Sequence, residues 1–326
     1  MKYKVLNFLR QLALMLLVIW TVVSLVTVLI EVVPGDPATV ILGETATQEQ
    51  IENFRARHGL DRPAFFFSYG SETGFIWNGA DNRYADYWLG LLRGDLGNSF
   101  RTERPVRDMI FERYPSTIKL AIAAMLVAIA IALPLGVLAA SRKNSSVDNF
   151  ASLLALLGIS LPTFVVGPFL VYIFAVQLGW FSPTGSQYPE DIVLPAVTLG
   201  AALSAILTRM VRSSVIEELG EDYVRTARAK GVSERKVLYK HVLKNGLIPV
   251  VTILGLQLGV LLAGAIITEK IFSWPGLGLL LLDDGIGKRD YRLVQGCVLV
   301  ISITFILANT LTDFVYRKLD PRIRLS

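Results

Sequence analysis

Thr117-Ile118-Lys119-Leu120-Ala121-Ile122-Ala123-Ala124-Met125-Leu126-Val127-Ala128-Ile129-Ala130-Ile131-Ala132-Leu133-Pro134-Leu135-Gly136-Val137-Leu138-Ala139-Ala140 carries one charged side chain, Lys119, near its start. A bilayer core is crossed by about 20 apolar residues in a helix. This block meets that length without the alternating polar stripe of a surface helix. Five more blocks of the same kind run from Phe8 to Ile30, Phe150 to Val176, Leu194 to Val211, Gly246 to Thr268 and Val294 to Tyr316. With 53% hydrophobic and 18% charged residues and a mean hydropathy of +0.52, the 326-residue chain has far more apolar material than one water-soluble core requires. The expected fold is an all-α membrane protein with six transmembrane helices. The first block lacks a small-residue cleavage site and reads as a retained helix, not a signal peptide.

The net charge of +5 does not point to nucleic acid, because Lys and Arg gather in the short segments between apolar blocks with no basic, aromatic stripe. Basic residues accumulate on the cytoplasmic side of short loops. Lys2, Lys4 and Arg10 place the N-terminus inside, Arg142 and Lys143 mark the next inside loop, and the segment from Gln177 to Ile192 has no basic residue and is expected outside. Arg225, Arg228, Lys230, Arg235, Lys236, Lys240 and Lys244 bring the following loop inside, and Arg317, Lys318, Arg322 and Arg324 keep the C-terminus there. Lys288, Arg289 and Arg292 run against this alternation, accompanied by Asp283, Asp284 and Asp290. The expected organisation is residues 1–30 as N-terminal segment and first helix, 31–115 as an external cap, 116–316 as a five-helix core with a structured loop at 213–245, and 317–326 as a cytoplasmic tail. In the cap, Pro34-Gly35-Asp36-Pro37 stops the first helix and Asn78-Gly79 marks a turn. The aromatic insert around it, with Phe65, Phe66, Phe67, Trp77, Tyr84, Tyr87 and Trp88, suggests packing or interface seating before ligand binding.

No catalytic residue, cofactor or metal is expected in this chain. Gly287-Lys288 has no upstream glycine at phosphate-loop spacing, and Gly276-Leu277-Gly278 lacks the third glycine of a dinucleotide fingerprint. His58 and His241 are assigned to opposite faces of the membrane, and Cys297 is the single cysteine. Ion-coupled carriers bury ionisable residues at mid-membrane. Here Lys119, Arg209, Glu269 and Asp313 fall near span ends, where snorkelling explains them. Energy then comes from another subunit, or transport is passive.

Between the fourth and fifth blocks lies Glu217-Glu218-Leu219-Gly220-Glu221-Asp222-Tyr223-Val224-Arg225-Thr226-Ala227-Arg228-Ala229-Lys230-Gly231-Val232-Ser233-Glu234-Arg235-Lys236-Val237-Leu238-Tyr239-Lys240-His241. Acidic residues open a helical pattern and basic ones close it, as the helix dipole favours. Gly231 permits a stop, and Ser233 can cap a second helix. Thr226, Ala227 and Ala229 would let this helix approach a partner closely. The alternative is a basic loop resting on lipid headgroups.

The register Arg225-Thr226-Ala227, three residues, then Gly231 resembles the Glu-Ala-Ala-(three residues)-Gly loop of permease subunits of ABC importers. Asp222 to Gly231 is similar to the form found in the dipeptide and oligopeptide branch. Arg225 replaces the general motif's Glu, and its Leu-Pro ending is Leu243-Lys244 here. Pro34-Gly35-Asp36-Pro37, Gly94-Asp95-Leu96-Gly97-Asn98-Ser99, Ser160-Leu161-Pro162-Thr163-Phe164, Phe272-Ser273-Trp274-Pro275-Gly276-Leu277-Gly278, and Arg289-Asp290-Tyr291 with Gln295-Gly296 resemble that branch in order. Asp283-Asp284-Gly285 and the aromatic insert depart from it. The resemblance implies a type I ABC importer permease fold in the bacterial inner membrane, paired with a sister permease. It also implies two ATP-binding subunits that bind ATP and Mg, and an extracytoplasmic substrate-binding protein. Asp222, Tyr223, Arg225, Thr226, Ala227, Arg228, Ala229 and Gly231 would form the ATPase-coupling loop. Ser204, Thr252 and Gln257 are candidates to line a translocation path, and Gly255, Gly259 and Ala263 form a small-residue packing face. The implied substrate is a di- or oligopeptide, with nickel chelates, glutathione and opines carried by similar permeases. A passive channel, a secondary carrier or a scaffold subunit are the readings of other classes.

Overall fold

The computed structural model describes residues 2–32, 35–70 and 74–319, without the side chains of residues 2–8, 70, 263, 264 and 317–319. Expectations resting on Lys2, Lys4, Pro34, the Ala263 side chain and the tail 317–326 lie outside the described residues. The chain divides into two compact units, residues 1–115 with 276–303, and residues 116–275 with 304–326.

The first unit begins with α1 (Lys2–Val32), an apolar helix with little of its surface buried. Helix α2 (Pro37–Leu42) starts with proline at its first position, where a missing N–H costs nothing, and the Asp36 carboxylate accepts from the Ala38 N–H at 3.1 Å. The same Asp36 receives the Arg55 guanidinium at 2.6 Å, tying α2 to α3 (Gln48–His58). Thr47 and Gln50 form a reciprocal capping box at the start of α3, and Gly59 closes it in the left-handed conformation. An antiparallel hairpin follows, β1 (Phe67–Gly70) and β2 (Gly74–Trp77), a feature absent from the all-α expectation. Cross-strand pairs of aromatic rings, Phe67 with Trp77 and Tyr69 with Phe75, stabilise it. Asn78-Gly79 turns the chain just after β2, with Gly79 at φ +70°. Asn82 caps α4 (Arg83–Leu92), whose Tyr87 packs with Val23 of α1 and Leu299 in the core of this unit.

The second unit is organised on α8 (Val193–Leu219). Before it, α5 (Val106–Ser141) presents Ala121, Ala124, Ala128 and Ala132 at helical spacing, and these share one core with Leu203, Leu207, Val211 and Val215 of α8. Glycines let the helices approach until their backbones nearly touch. A Cβ at Gly200 would lie 2.8 Å from the Ala124 carbonyl oxygen, one at Gly136 would lie 2.6 Å from Val211 Cβ, and one at Gly158 would lie 2.8 Å from Ala205 Cβ. Gly158 belongs to α6 (Ser146–Ser160), which α7 (Thr163–Leu170) follows, continuing in wide π-type turns to Gln177.

Four helical stretches are each long and apolar enough to cross a membrane, Leu9–Val32, Val106–Ser141, Pro189–Leu219 and Tyr291–Tyr316. Two further pairs are bent, Ser146–Ser160 with Thr163–Gln177 by 101° and Glu234–Gly246 with Ile248–Leu262 by 48°, so six spans result if each pair is one. The third expected block is therefore not straight. Pro162 has no N–H to donate and pushes Leu161 into an extended conformation, with φ −87° and ψ 116°. The fifth block bends where Pro249 enters at the start of Ile248–Gly264 and breaks again at Ala265.

Candidate coupling loop

Helix α9 (Asp222–Ala229) leaves α8 through Gly220 and Glu221. Its dipole is matched by Asp222 in the first turn and Arg228 in the last. Inside the helix, Thr226 donates its hydroxyl to the Asp222 carbonyl at 2.9 Å, and Arg225 reaches the Asp222 carboxylate at 3.2 Å. Gly231, at φ +77°, reverses the chain, with its N–H on the Arg228 carbonyl at 2.9 Å and the Val232 N–H on the Ala227 carbonyl at 3.2 Å. This is the left-handed helix stop that glycine supplies without side-chain cost. The second helix, α10 (Glu234–Gly246), then begins. Ser233 occupies the capping position, but its side chain makes no capping bond.

The two helices are instead clipped across the glycine turn. Arg228 holds Glu234 in a two-pronged pair, Nε to Oε1 at 2.8 Å and Nη2 to Oε2 at 3.1 Å. The bond raises the Arg228 pKa above its ordinary value. Arginine's planar fork suits this arrangement. At the other end of α9 the Tyr223 hydroxyl donates to Glu218 of α8. Burial, and then that acceptor, push the phenol up to about 12.

Val224 and Ala227 face inward and share the core of Val211 and Val215 of α8 and Val237 and Val242 of α10. Ala227 therefore seats the helix on its own chain and is not turned to a partner. Asp222, Tyr223, Arg225, Thr226, Arg228, Ala229, Lys230 and Gly231 remain exposed. One turn up α8, Arg212 donates to Asp148 of α6 at 2.5 and 2.8 Å, and the Asp148 side chain is almost wholly buried. The seat of the hook is thus bolted to a third helix by a pair that local sequence gives no means of matching.

The structure does not bring the path candidates together. Ser204 and Thr252 donate to carbonyls of their own helices, Ala201 at 2.7 Å and Ile248 at 3.3 Å. Gln257 lines an open cavity of about 330 Å³ with Pro162, Thr163 and Leu203. Gly255 and Gly259 pack on residues 305–312, where a Cβ at Gly255 would meet Thr312 at 2.3 Å and one at Gly259 would meet Asn309 at 3.1 Å. Lys119, Arg209 and Asp313 are exposed, as snorkelling requires, but Glu269 is fully buried and accepts from the Thr117 hydroxyl at 2.8 Å. Snorkelling does not describe Glu269: it sits in α11 (Ile266–Ile271), after the break at Ala265 that turns it into the bundle. Among the described residues no cluster of metal-ligating side chains forms.

A bundle of apolar helices with a structured basic loop between two of its apolar stretches defines a polytopic membrane component. Residues 132–325 match the family described as the binding-protein-dependent transport system inner membrane component, and residues 5–121 match its N-terminal counterpart. The chain belongs to this family and is an inner-membrane permease subunit of an ABC importer, a multi-pass protein that works with an ATPase and a binding protein. It is 41% identical over 300 residues to the glutathione transport system permease protein GsiC of Shigella flexneri, covering 92% of each chain. It is 41% identical over 303 residues to GsiC of Salmonella typhimurium, covering 93% of this chain and 94% of that one. Among solved structures, the inward-facing MetNI methionine ABC transporter aligns over 65% of this chain and 96% of its own, with a TM-score of 0.56 and 16% identity. An amino acid ABC transporter with histidines aligns over 65% and 94%, with a TM-score of 0.53 and 15% identity. These two likenesses concern the fold.

Proposed function

We propose that this chain pairs with a sister permease to form the path for short peptides, glutathione among them, and that its hook from Asp222 to Gly231 receives the stroke of an ATPase subunit. ATP and Mg belong to two such partner subunits and none to this chain. The hook and both termini lie in the cytoplasm, as the basic loops suggest, and the external binding protein delivers substrate. The observation that carries this reading is the Arg228–Glu234 clip across Gly231, standing on the Val224–Ala227 seat. A flexible basic loop would absorb an applied force, whereas a clipped pair of helices passes it to α8. From α8 it reaches α5 and α6 through Gly200, Gly136 and Gly158 and through the Arg212–Asp148 pair. Closure of two ATPases would draw paired hooks together and rock the helices they stand on. The GsiC relatives support a peptide-like substrate and make glutathione the first ligand to assay.

The test is uptake into proteoliposomes holding this chain with its sister permease and ATPases, loaded from the binding protein. Uptake of labelled glutathione or a dipeptide that requires ATP is expected, and so is its loss in Ala227→Asp, which puts a carboxylate into the seat of the hook. Equal uptake without ATP would mean a passive channel or secondary carrier and would overturn the proposal.

A further inference from the structure

We propose that the hairpin of β1 and β2 is a membrane anchor, its aromatic face seated among the phospholipid headgroups beside the end of α1. The register places Phe67 opposite Trp77 and Tyr69 opposite Phe75, so four rings project from one face while Ser68 and Ile76 take the other. These rings are exposed, Phe67 by 57%, Tyr69 by 73%, Phe75 by 80% and Trp77 by 62%. A contiguous aromatic patch of this kind in water marks an interaction surface.

Its depth follows from what holds it. Phe66, just before β1, stacks on Trp77 at 6.0 Å and meets the edge of Tyr84 at 5.9 Å. The Tyr84 hydroxyl is bonded to Ser24 of α1 at 2.7 Å, and Arg83 is paired with Glu31 near the end of the same helix at 2.8 Å. Ser24 lies roughly 12 Å below Val32 at the rise of an α-helix. Leu25, Val28, Leu29 and Val32 around that level are exposed and apolar, as suits the last turns of a spanning helix. These ties hold the hairpin at the level of the last turns of α1.

Composition selects the occupant. Tyr and Trp favour the headgroup layer, where an apolar ring and a polar edge are both satisfied. No residue of either strand is charged, so neutral headgroups suffice. Nearby Arg62 is already paired with Asp81 and Asp86, as Arg83 is with Glu31. A two-stranded sheet has unpaired backbone groups along both outer edges, which hydrocarbon excludes, so the hairpin lies in the headgroup layer and does not enter the core.

The experiment compares the assembled transporter carrying wild-type chain or Trp77→Phe in vesicles of phosphatidylcholine brominated either near the headgroup or near the chain end. The difference between the two emission spectra isolates Trp77 from this chain's other four tryptophans and from those of the partner subunits. Loss of most of the Trp77 emission with bromines near the headgroup, and much less with bromines near the chain end, is expected. A Phe75→Cys variant provides a second reading, since the native Cys297 is buried and a nitroxide label reports only the hairpin. That label is expected to be more accessible to dissolved oxygen than to a water-soluble nickel chelate. If Trp77 escapes both lipids and is quenched by aqueous iodide, the face belongs to a soluble partner and the anchor is refuted. If neither bromine nor iodide reaches it, another membrane subunit covers it, and the anchor is refuted equally.

Discussion

Replacing Gly231 by alanine isolates the backbone geometry of the hook. Gly231 sits at φ +77°, and a Cβ added there meets nothing within 4 Å, so the substitution introduces strain without a clash. The left-handed conformation costs an L-residue with a Cβ about 1–2 kcal/mol. That range corresponds to a factor of about 5–30 in the equilibrium between the clipped and open hook. Asparagine tolerates this conformation better than alanine despite its greater bulk. Affinity for the ATPase subunit, measured by titrating purified ATPase onto permease in nanodiscs, is expected to rank Gly first, Asn second and Ala last. Transport per ATP hydrolysed is expected to follow the same order. The opposite order of the variants, with Asn worse than Ala, would show that a partner presses against this position and that space, not backbone conformation, requires glycine. Wild-type behaviour of Gly231→Ala would refute the reasoning outright.

Three other outcomes follow from the packing. Gly255→Ala drives a methyl group into Thr312 and is expected to cost about 1–3 kcal/mol, seen as a lower Tm in detergent; adding Thr312→Ala restores part of it, because a side chain is the obstacle. Arg212→Leu strands the buried Asp148 carboxylate and is expected to cost about 3 kcal/mol or more, while Leu at both positions recovers most of the loss, as judged by chemical unfolding. Burial holds His58 below its ordinary value between the rings of Phe54 and Phe100, with Glu103 and Asp290 opposing and Arg57 and Arg292 assisting. The unfolded state then binds the proton first, so stability of this unit is full above about pH 6.5 and falls as pH drops below it. Hydrogen exchange of α3 across that range is expected to show the decline, and His58→Asn to flatten it.

The membrane class and four of the long apolar helices were legible because apolar blocks of bilayer length have no other use. The helix–Gly231–helix reading also needed only local signals, since the charge order and a single glycine specify it. The Gly255 and Gly259 face was visible as small residues four apart. Contacts between distant residues were not legible. Asp148 and Arg212 meet where α6 and α8 pack closely, helped by Gly158, and nothing near either residue names the other. Glu234 is a first-turn acid of α10, and the turn geometry also makes it the partner of Arg228, which no local signal shows. The inward side of an eight-residue helix depends on what lies beneath it, so Ala227 passed for a surface residue. Ser204 and Thr252 looked available to a substrate, but helical hydroxyls bond the preceding turn when nothing better is near. Pro162 carries the signal for the 101° bend, since proline bars the residue before it from the helix.

The most direct measurement is a crosslink from the hook. Ala229 is exposed and the native Cys297 is buried, so an Ala229→Cys variant gives this chain one accessible thiol. Attachment of a short bifunctional reagent to the ATPase subunit is expected, with a yield that changes when ATP replaces ADP, while Val224→Cys, on the buried face, stays unlabelled. A crosslink only to headgroup-modified lipid, unchanged by nucleotide, would make Asp222 to Gly231 a basic loop on the bilayer surface and contradict its role as the coupling element.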